Sequence, residues 1–235
     1  MTMLIVAAIF FLLLHLVVAG TRVRDAIVGI VGERPYLGLF SLASLIGIVW
    51  LAISYNAAGR EGSAVVWDLG SGVTHLGIVV VGLAFLLGVP GLLTPNPTAL
   101  MQDEAATREG VVHGVLRITR HPFLWGVALW AAFHLVANGD EASIVFFGMF
   151  LVLAVAGTYS IDAKRARKMG AAWGPFARQT SNIPFATVIA GRNSLKLGEL
   201  LSYRLVVALV VFLVVLFAHP WLFSASPFPG GWSPY

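Results

Sequence analysis

The chain has no cysteine, which removes disulfides, thiolate metal sites and thiol nucleophiles together. Charge is scarce too: Asp, Glu, Lys and Arg make up 11% of the residues, against about 25% in soluble domains. Carboxylates are absent from every long apolar run, so a zinc site built inside those runs would be short of ligands. What the chain does have is 58% hydrophobic side chains over 235 residues, the composition of one integral membrane domain spanning 1–235. The formal charge of +4 does not indicate nucleic acid, because the basic residues gather beside apolar runs, where they set membrane topology.

Six apolar runs read as helices crossing a lipid bilayer, at about 3–20, 36–54, 73–93, 123–138, 142–160 and 203–223. The fourth is about 24 Å of helix against a hydrocarbon core of about 30 Å, so it is expected to start in the headgroup region. No basic residue precedes the first run, no small-x-small cleavage site closes it, and Arg22 and Arg24 follow it. It therefore reads as a retained helix rather than a signal peptide. Lys and Arg number three between runs one and two, three between runs three and four, and eight between runs five and six with Arg204 included. Arg60 alone lies on the other side. This bias predicts an all-α polytopic fold of six transmembrane helices with both termini on the non-cytoplasmic side. The polar stretch 94–122 is expected to break at Pro95-Asn96-Pro97 and then to form a surface helix over 101–118.

The stretch Arg117-Ile118-Thr119-Arg120-His121-Pro122 sets cationic groups beside a proline at the entry to the fourth span. His134 follows thirteen residues after His121, inside an apolar run where an unpaired imidazole is costly. His15 is its counterpart on the first span. A lone intramembrane histidine most often hydrogen-bonds between helices. Two on separate helices raise the odds of a shared ligand, and haem iron suits them better than a bare ion because the porphyrin supplies four ligands and leaves two axial positions. His15 and His134 differ in depth by about 10 Å if their helices start level, and His75 competes as the partner nearest His134 in depth, so residue type and spacing leave the pair open. His121, beside Arg117 and Arg120, suits an anionic group such as a haem propionate or a cofactor carboxylate, with phospholipid headgroup anchoring as the plainer role. His113 reads as a solvated surface residue and His219 as an interface one.

Together these residues resemble the NnrU family, bacterial membrane proteins similar to the plant 15-cis-ζ-carotene isomerases. The resemblance covers about 4–192 and rests on His15 followed by Arg22, Gly32-Glu33-Arg34-Pro35-Tyr36, Arg117 to Pro122, His134, and Thr180-Ser181 with Pro184-Phe185. It implies haem b with His15 and His134 as the iron ligands, a place in a bacterial inner membrane, and a redox-dependent isomerase acting on a cis polyene such as a carotenoid, or a role in nitrogen-oxide metabolism with nitric oxide as ligand. A cysteine that is an alternative ligand in the isomerases corresponds to Ala131 here. The Arg-His-Pro stretch also resembles isoprenylcysteine carboxyl methyltransferases, which implies S-adenosylmethionine as an alternative cofactor. Their glutamate pair is not kept, since the corresponding segment reads Ile161-Asp162.

Overall fold

The computed structural model describes residues 1–70, 72–99 and 102–228, and among them it is helical, with one isolated β-bridge between Val65 and Asp140. α1 (Thr2–Leu12) continues through a π-helical segment, Leu13–Val18, and gives way to α2 (Arg22–Val31), whose first turn is capped by Thr21 accepting from the Val23 N–H at 3.2 Å. α3 is Glu33–Arg60, α4 Gly72–Leu93, α5 Pro122–Ala137 and α6 Glu141–Met169. The short helices α7 (Trp173–Gln179), α8 (Ala186–Ile189) and α9 (Leu197–Leu200) lead to α10 (Tyr203–Phe223).

Among the described residues four helices are long and apolar enough to cross a membrane: Glu33–Arg60, His75–Leu93, Glu141–Gln179 and Tyr203–Phe223. Thr2–Val18 with Arg22–Val31 makes a fifth when that pair, bent by 79°, counts as one, and Pro122–Ala137 is apolar but short. The chain is thus a multi-pass membrane protein. Its long helices alternate in direction between two ends. At one, which carries most of the basic residues, the Lys164 ammonium donates to Ala19 O at 3.0 Å and Arg204 to Leu93 O at 3.1 Å. At the other, the Tyr55 and Ser143 hydroxyls bond at 2.9 Å and Trp67 donates to Val136 O at 3.0 Å.

Burial follows the helical period. Leu4, Ala7, Ala8 and Phe11 line one face of α1 and pack against Leu51 and Ala58 of α3 and Ala142 and Met149 of α6. The opposite faces stay apolar and exposed, as Leu42, Leu45, Ile46 and Ile53 of α3 do, which suits lipid rather than water. α4 and α5 approach closely at Gly126, where an added Cβ would lie 2.7 Å from Ala84 O and 2.8 Å from Gly88 Cα. Small residues allow such contact in membranes, where dispersion replaces the hydrophobic drive between helices.

The surface helix expected over 101–118, whose first residue lies outside the described ones, is not formed over 102–118. Two 3-10 turns, Asp103–Thr107 and Gly114–Arg117, replace it, and Gly110 (φ 70) and Gly114 (φ 55) take left-handed backbone that a helix cannot hold. Nor is the segment superficial: Val115 and Leu116 are buried, and Val112 packs under Trp173 and Phe176.

Candidate functional site

His15 lies within the π-helical segment of α1, a local widening that recurs at functional sites. Its Nδ1 bonds to Phe11 O at 2.9 Å, and the ring packs on Phe11 at 4.3 Å and against Phe40 at 5.2 Å. His134, on α5, repeats the arrangement: Nδ1 bonds to Trp130 O at 2.9 Å, with Trp130 at 5.1 Å and Phe147 stacked at 5.0 Å. In each case the backbone carbonyl fixes Nδ1 as the protonated nitrogen, and Nε2 makes no hydrogen bond among the described residues. An imidazole held in this way is prepared as a metal ligand.

The rings of Phe11, Phe150 and Trp130 form a layer between them, with centroids 6.1 Å and 5.6 Å apart in turn. α1 and α5 run in opposite directions, so His15 lies one turn to the basic side of this layer and His134 one turn to the other. Their backbones are therefore about 11 Å apart along the bundle, while each side chain leans back toward its helix N-terminus and so toward the other. The donor set here is two imidazoles on separate helices, and two such ligands are what the axial positions of an iron porphyrin would take. His75 is exposed at the start of α4, and Ala131 is fully buried.

One further stripe faces His15. Tyr36, Phe40 and Ser44 fall at four-residue spacing along α3, and Phe40 touches the imidazole. Tyr36 is 4% exposed, stacks on Phe40 and carries the Arg24 guanidinium 5.3 Å from its ring centre. The Tyr36 and Ser44 hydroxyls are both buried without a hydrogen-bond partner among the described residues. An unmade buried hydrogen bond costs about 1–3 kcal/mol, so two on one stripe call for an explanation.

Arg117, Arg120 and His121 form a second cluster. The Asp162 carboxylate, just past the apolar part of α6, accepts from Arg120 Nε at 2.7 Å and its terminal nitrogen at 2.5 Å, from His121 Nε2 at 2.8 Å and from Asn182 at 2.9 Å. Arg120 also donates to Thr180 O at 3.2 Å and lies over Trp173. Arg117 forks onto Glu199 at 2.7 and 2.9 Å and reaches Asn193 at 2.7 Å. The Thr180 to Phe185 stretch clasps this segment, with the Arg120 N–H on Ser181 O at 2.9 Å and the Phe185 N–H on Ile118 O at 2.7 Å. Arg117, Arg120 and His121 thus face carboxylates of the protein itself.

Burial lowers the His121 pKa, so at neutral pH the imidazole is uncharged and donates its Nε2–H to Asp162. Asp162 accepts these bonds from His121, Arg120 and Asn182 together, so its carboxylate is neutralised by the protein itself. Hydrogen bonds from Arg117 bring Glu199 down to about 2. Sequence reasoning passed over Glu199, Asn182 and the Tyr36 hydroxyl as site groups and treated Asp162 only as a departure from another family. Asp162 had one signal, an acidic residue beside the basic run of 164–168. His113 is half-buried, its Nδ1 3.2 Å from Gly110 O, and His219 bonds to Ala225 O at 2.7 Å.

The fold and its inward-facing histidines define a helical, multi-pass membrane protein. The NnrU protein family matches residues 3–227, and the chain belongs to that family. It is 27% identical over 236 residues, 97% of its length, to a chloroplastic 15-cis-zeta-carotene isomerase of Zea mays. It is 28% identical over 213 residues, 86% of its length, to the Arabidopsis thaliana protein of the same description. The chain spans 62% and 56% of the lengths of those two relatives. No solved structure matches it.

Proposed function

We propose that this protein binds haem b through His15 and His134 and acts as an isomerase of cis polyenes, like the carotene isomerases it is similar to. The observation that carries the proposal is the matched pair of imidazoles, each with Nδ1 tied to its own helix and Nε2 without a hydrogen bond. Haem iron held by His15 and His134 would supply a redox-active centre, and a neutral ligand such as nitric oxide would reach it only where one imidazole gives way. The protein's own contribution is positional. Phe11 and Trp130 carbonyls orient the imidazoles, and their rings with Phe150 and Phe147 keep water out. The Tyr36 and Ser44 hydroxyls donate to polar atoms of the group bound beside His15. Exposed apolar faces on α3 and α10 give a hydrocarbon substrate access from the bilayer.

Six crossings are supported by the alternating helix directions and by the basic residues gathered at one end. In this reading both termini lie on the side opposite the basic loops, outside the cytoplasm of a bacterial inner membrane. The deciding experiment is an absorption spectrum of detergent-purified protein from haem-replete cells, with a six-coordinate, low-spin haem band expected. His15→Ala and His134→Ala should each lower haem content while His75→Ala leaves it unchanged. A colourless preparation refutes the proposal, and loss of haem in His75→Ala alone refutes the pairing. Saturable binding of S-adenosylmethionine that disappears in Arg120→Ala would favour methyl transfer instead.

A further inference from the structure

A cavity of about 520 Å³ opens at the basic end. Six cations line it, among them Arg22 and Arg24 of α2 and Lys164 and Arg167 of α6, against two carboxylates, Asp25 and Glu33. Arg24 is engaged by both carboxylates. Arg22 and Arg167 form no ion pair or hydrogen bond with the described residues. The bend between α1 and α2 sets the cavity: it swings Arg22 off the axis of α1 and opposite α6, and Lys164 fastens the corner by donating to Ala19 O. Two arginines left without a partner among the described residues in a concave site call for an anion, and guanidinium groups match phosphate oxygens.

The surroundings identify which anion. The same helix that supplies Arg22 exposes Val23, Val31 and Ile30, the last at 85%, and Leu39 of α3 is exposed beyond them. A free phosphate has no use for that apolar skirt, whereas a phospholipid fills both parts. We infer that the cavity between α2 and the basic end of α6 binds the phosphate headgroup of an anionic phospholipid, its acyl chains lying along α2 and α3. Basic pockets between membrane helices on the cytoplasmic side take anionic headgroups in this way.

The test is native mass spectrometry of the full chain in detergent, titrated with dilauroyl phosphatidylglycerol or dilauroyl phosphatidylcholine at equal concentration. Retention should favour phosphatidylglycerol, and Arg22→Gln/Arg167→Gln should weaken it about thirtyfold, roughly fivefold for each cation near the membrane surface. Should the variant not fold, the wild type still decides, because the preference must collapse at about 1 M salt, where the Debye length is about 3 Å. Equal retention of the two lipids, or a preference untouched by both the variant and salt, overturns the inference. Displacement of phosphatidylglycerol by inorganic phosphate at matching concentration assigns the cavity to a free anion and overturns the lipid.

Discussion

Replacing Arg120 with alanine should destabilise the protein whether or not anything is bound. Arg120 and Asp162 have side chains only 14% and 17% exposed, and the guanidinium supplies two of the four hydrogen bonds that the carboxylate accepts. Bonds to a charged group contribute about 1.5–3 kcal/mol each, and breaking a buried pair from one side costs about 3–5 kcal/mol. His121 and Asn182 stay on Asp162, so its charge is not abandoned and the lower end, about 3 kcal/mol, applies. Arg120→Lys keeps the charge without the fork and should cost about half as much. The assay is unfolding of the detergent-solubilised protein in graded sodium dodecyl sulfate, followed by circular dichroism. A double-mutant cycle with Asp162→Asn should give a coupling of at least about 2 kcal/mol. Stability of Arg120→Ala within about 0.5 kcal/mol of wild type would refute the reasoning and reassign the arginine to an external anion.

Three further outcomes are expected. Tyr36→Phe removes a hydroxyl with no partner, so the haem-free protein should be as stable or slightly more so, while haem retention in detergent falls; unchanged retention would make the hydroxyl idle. Gly126→Val should push α4 from α5 and cost about 1–3 kcal/mol or more by the same unfolding assay, since its Cβ would meet Gly88 Cα at 2.8 Å. Glu199 has a folded pKa brought from 4.5 to about 2, so its contribution is complete above the unfolded value and is lost as pH falls toward 2. Over that window wild-type stability should therefore drop more than that of Glu199→Gln.

The helices were legible where apolar run length is the signal, and all six runs are helical. α3 and α6 reach well past their apolar portions, because Glu33 to Pro35 and Asp162 to Met169 continue the backbone pattern after hydrophobicity has ended. The 101–118 segment misled because its polar residues resemble a helix surface, while two glycines with positive φ and the Trp173–Phe176 pair decide its path. The two histidines of the apolar helices could be picked out from the expense of burying an imidazole. The partners of Arg117 and Arg120 could not, since Glu199 lies 82 residues away and Asp162 42, and no local pattern encodes such pairings. The unpartnered Tyr36 hydroxyl is a property of packing alone.

The π-helical segment at Leu13–Val18 amounts to one extra residue at the C-terminal end of the first helix, with Ala19 N–H reaching back five positions to Leu14 O at 3.1 Å. Residues on its two sides keep separate angular phases, about 100° apart, the rotation of one helical residue. Leu4, Ala7, Ala8 and Phe11 belong to the first phase, and Ala19 and Gly20, which accept from Lys164 and Ser160, belong to the second. Deleting one residue of 13–18 would turn Ala19 and Gly20, which meet Lys164 and Ser160 of α6, relative to the face that Leu4, Ala7, Ala8 and Phe11 present. A point deletion that no hydropathy profile registers would thus be more damaging here than most substitutions, and His15 sits at the seam.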